Sequence, residues 1–299
     1  MSLAALLAAS PTLFTGACLA LGLVVGSFLN VVIHRLPIML ERQWRAQYAD
    51  LYGEAPTLPA VNRGRYDLVA PRSACPACGA LIHAWQNIPV VSYLWLRGRC
   101  AACGARISPR YPLVEALTGL LSAAVAFRFG FGWPALAALV LTWYLVALAG
   151  IDLDHQLLPD SLTLPLMWIG LLLALVAPAS GGGPIPVDLR SSLIGAAAGY
   201  LSLWSVYHLF RALTRKEGMG YGDFKLLAAL GAWLGWQMLL PTVLIAALLG
   251  AVCGTALIVT RRRGSGVPIA FGPFLAISGW LMLMFGHRLV GAYLSLYPR

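Results

Sequence analysis

The sequence predicts an all-α polytopic membrane fold: about eight transmembrane helices and one small extramembrane domain. Three observations carry this. The 299 residues are 60% hydrophobic and only 11% charged, against about a quarter charged in soluble domains. Apolar stretches lie at about 11–33, 112–128, 133–151, 161–178, 191–213, 224–236, 241–260 and 269–286, and most approach the roughly 20 residues that cross a bilayer. Residues 36–110 are the one long polar segment. The expected division is 1–35 as a first transmembrane helix, 36–110 as the extramembrane domain, and 111–299 as a seven-helix membrane domain.

Taken in order, the first stretch lacks a basic leader and runs on to about Ile33, so it reads as a retained span and not as a cleaved signal peptide. Gly26 and Ser27 suit close helix packing. Asn30 needs a hydrogen-bond partner if buried, and Pro37 is expected to end the helix. Within 36–110, Ile88 to Leu96 reads as short strands or as a segment lying on the membrane surface. The stretch at 224–236 is short for a crossing, unless Gln237 to Leu240 extend it. Gly181-Gly182-Gly183-Pro184 reads as a flexible loop, and no internal repeat is seen. Cys18 and Cys253 sit in apolar stretches as packing residues.

Charge sets the expected orientation. With 36–110 in the cytoplasm, all but Arg128, Arg190, Arg288 and Arg299 of the 21 Lys and Arg fall on that side, as the positive-inside rule requires. Both termini are then periplasmic, and Arg261-Arg262-Arg263 reads as a topology anchor. The net charge of +10 is accounted for by such loops, without a nucleic-acid partner. The partner implied by composition is membrane lipid.

Two constellations carry chemistry. Cys75-Pro76-Ala77-Cys78-Gly79 and Cys100-Ala101-Ala102-Cys103-Gly104 are paired Cys-x-x-Cys motifs. Four thiolates satisfy a tetrahedral Zn²⁺ and leave no open position, so the expected role is structural. Two disulfides or redox thiols are the alternative, disfavoured by a cytoplasmic setting. The second constellation is acidic: Asp152, Asp154 and Asp160 follow one apolar stretch, and Asp223 precedes another. The orientation above places both clusters at one membrane face. Two carboxylates sharing a proton supply the base and the acid that peptide hydrolysis needs. The rival readings are helix caps plus an interfacial ion pair with Lys225, and an ion or proton relay in a transporter. Glu115 could line the same site or face the interface. His155 reads as an interfacial residue.

Together these motifs resemble the bacterial type IV prepilin peptidases over nearly the whole chain. Gly26 to Val31 followed by Arg35-Leu36-Pro37 resembles that family's N-terminal signature. The cysteine pairs resemble its cytoplasmic zinc-binding domain, Ile151 to Asp160 its first aspartate motif, and Gly220-Tyr221-Gly222-Asp223 the Gly-x-Gly-Asp motif shared with presenilin-like proteases. The resemblance implies a bacterial inner-membrane enzyme whose site faces the cytoplasm. It would cut the basic leader from type IV prepilins and type II secretion pseudopilins with an Asp152/Asp223 dyad. It would then methylate the new N-terminus from S-adenosylmethionine, for which no binding residue can be named; a protease without methyltransferase activity is the alternative. Asp154, Asp160 and Glu217 are expected to receive the leader, and Gly220 and Gly222 to let the substrate backbone approach closely.

Overall fold

In the computed structural model, residues 2–53, 65–176, 185, 187–216, 218–260 and 269–295 are described. Gly181 to Pro184, Glu217, Arg261 to Arg263 and Arg299 lie outside them. The described chain is helical: α1 (Leu3–Ala9), α2 (Pro11–Tyr52), α3 (Val91–Trp95), α4 (Arg110–Phe129), α5 (Trp133–His155), α6 (Asp160–Val176), α7 (Leu189–Thr214), α8 (Tyr221–Leu234), α9 (Leu239–Val259) and α10 (Gly272–Ser295). Each of the eight predicted apolar stretches is a helix. Five of them are long and apolar enough to cross a membrane, while α6, α8 and the apolar part of α10 are shorter. The chain divides into two compact units, Thr15–Ala124 and Met1–Phe14 with Val125–Arg299.

In the first unit, α2 and α4 meet through small residues. A Cβ on Gly22 would lie 2.5 Å from Ser122 Oγ, and one on Gly26 2.8 Å from Glu115 Cα. Such close backbone approach replaces the hydrophobic drive that lipid cannot supply. Asn30 Nδ2 donates to the Tyr111 carbonyl at 3.1 Å, which supplies its expected partner.

The helix does not end at Pro37. It runs through the proline to Tyr52. Proline removes one backbone bond, but the following loop clamps α2 on both sides of it. Arg35 donates to the carbonyls of Asp67 (2.9 Å) and Pro71 (2.7 Å), and Arg42 stacks 4.1 Å over the Tyr66 ring. Nor does Ile88 to Leu96 form strands: a 3₁₀ turn at Ala84–Asn87 leads into α3.

Asp67 organises that clamp. Its carboxylate accepts from Ala70 N (2.7 Å), Val69 N (2.8 Å) and Arg65 Nε (2.5 Å). These bonds, the Ala70 N–H first, hold its pKa down to about 2 from the ordinary 3.8. A depressed carboxylate pKa stabilises the fold above the unfolded value and loses that contribution as pH falls through the folded one. Hydrogen exchange at the Val69 and Ala70 amides should therefore stay protected above pH 4 and lose protection towards pH 2. Unchanged protection at pH 2 would remove Asp67 from this role.

The second unit is built around α8. Phe224 and Leu226 to Trp233 are almost wholly buried. A Cβ on Gly231 would collide with the Gly195 carbonyl, and one on Gly199 would meet the Leu227 carbonyl oxygen at 2.6 Å, so α7 and α8 touch backbone to backbone. Ser192 Oγ donates to Ala232 O across this seam at 2.6 Å. Trp233 lies across Gly170 of α6, with its Nε1 donating to Leu166 O at 2.8 Å. Gln237 to Leu240 do not lengthen α8. Gly235, at φ +80°, turns the chain into a 3₁₀ turn at Trp236–Met238, and α9 follows.

Candidate active site and cysteine cluster

Asp152 sits in the last turn of α5, which ends at Gln156 in a left-handed conformation. Asp223 is the third residue of α8, behind the N-cap Gly220. Both are buried, with 5% and 7% exposure. The loop between α5 and α6 brings them together through Leu158. A Cβ on Gly222 would lie 2.7 Å from Leu158 Cβ, and one on Gly272 would lie 3.1 Å from Leu158 Cδ1 and 2.6 Å from Asp152 Oδ2. The end of α5, the start of α8 and the start of α10 therefore converge on one point. Gly272 N–H donates to Asp152 Oδ2 at 3.0 Å. Asp223 Oδ1 is buried with no hydrogen-bond partner among the described residues. A buried carboxylate oxygen left unpaired is costly.

The other sequence candidates have different surroundings. Asp160 begins α6, and both its oxygens bind Lys225 Nζ, at 2.6 and 2.8 Å. The interfacial ion pair with Lys225 offered as a rival reading is therefore present, but it is made by Asp160 and leaves Asp223 outside it. Asp154 and His155 are exposed. Glu115 belongs to the other unit, where its Oε2 accepts Val90 N–H at 2.7 Å and holds that residue at φ +60°. The two motif glycines differ. Gly222 has no room for a side chain, whereas a Cβ on Gly220 meets nothing closer than 4.0 Å. Gly222→Val should abolish activity by displacing Leu158, while Gly220→Ala retains most of it; equal losses in a steady-state assay would contradict this packing argument.

Gly272 was not visible from the sequence as a site residue. Its only signal is a glycine before Pro273 at the start of an apolar run, which reads as an ordinary helix start. Leu158 carried no signal beyond its place between two acids.

The cysteines form one cluster. The Sγ atoms of Cys75, Cys78, Cys100 and Cys103 all lie within 4.8 Å of one another, and no disulfide is formed among them. A tetrahedron with Zn–S bonds of about 2.3 Å has S–S edges of ~3.8 Å. The separation between Cys75 Sγ and Cys103 Sγ is 3.8 Å. Backbone N–H groups, that of Cys78 first and then that of Ala77, pull Cys75 down to about 6. Cys103 is pushed the other way, to about 12. The Ala105 N–H favours its thiolate, but the Cys78 thiol, desolvation, Cys100 and Cys75 together outweigh it. Without a cation the cluster cannot ionise fully; a divalent metal relieves that repulsion.

The cluster is also an internal repeat, which the sequence reading missed because it is so short. Cys-Pro-Ala-Cys-Gly-Ala-Leu-Ile from Cys75 and Cys-Ala-Ala-Cys-Gly-Ala-Arg-Ile from Cys100 form matching knuckles. In each, the first cysteine's N–H reaches the alanine five residues on (Cys75 to Ala80, Cys100 to Ala105). The glycine N–H returns to that cysteine's carbonyl, and the isoleucine N–H closes the base (Ile82 to Ser73, Ile107 to Gly98). Gly79 and Gly104 take φ of +72° and +70°. Stripping the metal with a chelator should lower the melting temperature by roughly 10 °C and release one equivalent per chain; an unchanged melt would show that the knuckles hold without it.

The chain matches two family models. Residues 20–129 match the bacterial peptidase A24 N-terminal domain, and 139–255 match the type IV leader peptidase family. It is 53% identical to a prepilin leader peptidase/N-methyltransferase of Stutzerimonas stutzeri over 97% of this chain and 96% of that one. It is 55% identical to one of Aeromonas hydrophila over 95% of each. It is 47% identical to one of Xanthomonas campestris pv. campestris over 95% of this chain and 96% of that one. No solved structure matches. The buried aspartate pair, the cysteine cluster and these matches over almost the full length agree: the chain belongs to the type IV leader peptidase family.

Proposed function

We propose that this enzyme removes the leader from type IV prepilins and pseudopilins, with Asp152 and Asp223 as the catalytic pair, and then methylates the exposed N-terminus. The observation that carries the peptidase half is the buried carboxylate pair whose Asp223 Oδ1 has no partner. One carboxylate takes a proton from water as it attacks the scissile carbonyl. The other, protonated, donates to the carbonyl oxygen. Collapse of the tetrahedral intermediate breaks the C–N bond, and the departing nitrogen takes back the proton. Gly272 N–H fixes the Asp152 carboxylate and leaves its other oxygen for the water.

The four cysteines fit Zn²⁺, which would hold the two knuckles together and take no part in hydrolysis. S-adenosylmethionine would supply the methyl group. The described residues include no strand–turn–helix cradle for a nucleotide, and methyl transfer rests on the names of the relatives. The reading places the enzyme in the bacterial inner membrane with both termini periplasmic and the aspartates towards the cytoplasm, on the bias of Lys and Arg. Asp154 and Asp160 remain candidates to receive the basic leader; the bond from Lys225 already occupies Asp160.

Detergent-purified enzyme, a synthetic prepilin and labelled S-adenosylmethionine test both halves by mass. Leader loss followed by gain of one methyl is the expected result. Leader loss without methyl gain would remove the methyltransferase half, and an intact prepilin would remove the whole reading.

A further inference from the structure

The two knuckles are near copies, yet they differ where each closes. The first closes with Ala74 opposite Leu81, the second with Arg99 opposite Arg106. The fold therefore needs no charge at these positions. Two like charges directly opposite one another are unfavourable. Arg99 and Arg106 face a cavity of about 580 Å³ that Arg97, Tyr93, Gly98 and Ser108 also line. None of the three arginines has a carboxylate partner among the described residues. An uncompensated cluster of guanidinium groups in a cavity is a site for an anion, and for phosphate above all.

A second, independent observation identifies the source of the phosphate. The turn and helix beside the cavity expose a run of large apolar side chains: Trp95 at 77%, Leu94 at 68% and Val91 at 55%, with Trp85 and Ile88 about half exposed. The Trp85 and Trp95 rings lie 6.4 Å apart. Such a patch is unfavourable in water and natural at a membrane interface. Ser108, in the cavity wall, stands just before α4, and Asn30 ties the first turn of α4 to the end of the apolar part of α2. The cavity thus lies at the level where these two helices leave the bilayer. We propose that the segment from Trp85 to Trp95 beds into the membrane interface, and that Arg97, Arg99 and Arg106 bind the headgroup phosphate of an anionic phospholipid. S-adenosylmethionine is the wrong ligand for this cavity by charge, since its sulfonium leaves it net positive.

The repeat supplies its own control variant. Arg99→Ala/Arg106→Leu installs the closing residues of the first knuckle, so it should fold with an unchanged or higher melting temperature. Full-length protein in zwitterionic micelles is titrated with short-chain phosphatidylglycerol, phosphatidylcholine, inorganic phosphate and S-adenosylmethionine. The expected result is saturable binding of phosphatidylglycerol alone, weakened about thirtyfold in the double variant. Equal binding of phosphatidylcholine, or an unaffected double variant, would overturn the proposal. Competition by inorganic phosphate at the lipid's own concentration would mark a free-phosphate site, and competition by S-adenosylmethionine a cofactor site; either overturns the lipid assignment. In phosphatidylglycerol vesicles, the fluorescence that Trp95→Phe removes should be quenched by brominated acyl chains. Quenching of that component by aqueous acrylamide instead would put α3 in water and overturn the interfacial half.

Discussion

Asp152→Asn and Asp223→Asn should each lower the rate of leader removal by roughly 10²–10⁴-fold, the usual scale for loss of a positioned acid or base. Asn keeps the size of Asp and the bond from Gly272 N–H, so both variants should insert and melt like wild type. In the Asp223 variant the melting temperature should if anything rise, because a neutral amide costs less to bury than a carboxylate. The loss should fall on kcat, since neither residue is placed to bind the leader. Methyl transfer to a pilin already cleaved should survive in both. Continued cutting by Asp152→Asn would move the role to Asp154. Continued cutting by both variants would end the aspartyl mechanism and restore the transporter reading.

Gly231→Val should be the most damaging change outside the site. Its Cβ would fall on the Gly195 carbonyl, and backbone cannot swing aside as a side chain can. The seam between α7 and α8 must then open, at a cost of about 3 kcal/mol or more. The variant should fail to accumulate in membranes, or melt far below wild type. Gly291→Val, at a position where a Cβ meets nothing within 4 Å, is the control. Equal melting of the two would show that the seam is looser than described.

The existence of every apolar helix was legible, because composition alone marks stretches that cannot be solvated. The cysteine cluster was legible because Cys-x-x-Cys spacing is a local geometric statement. From residue type alone the aspartates were legible only as candidates, since Asp152, Asp154, Asp160 and Asp223 differ only in what surrounds them; the family resemblance was what singled out Asp152 and Asp223. Burial of Asp152 and Asp223 and the Lys225 bond to Asp160 favour the same two. The course of α2 past Pro37 was illegible because its support comes from Asp67 and Pro71, some thirty residues away. Gly272 was illegible for the same reason: its partner Asp152 lies 120 residues earlier.

The backbone seam also fixes which parts can move during a turnover. Asp223 rides on a helix whose neighbours leave no slack, so in the proposed mechanism it is the stationary jaw of a vice. In the same mechanism, movement to admit a substrate is left to the other jaw, the end of α5 and the loop through Leu158, because α10 itself packs on α8, where a Cβ on Gly279 would lie 2.5 Å from Leu230 Cδ2. An inhibitor that wedges Leu158 away from Gly222 would hold the vice open without touching either aspartate.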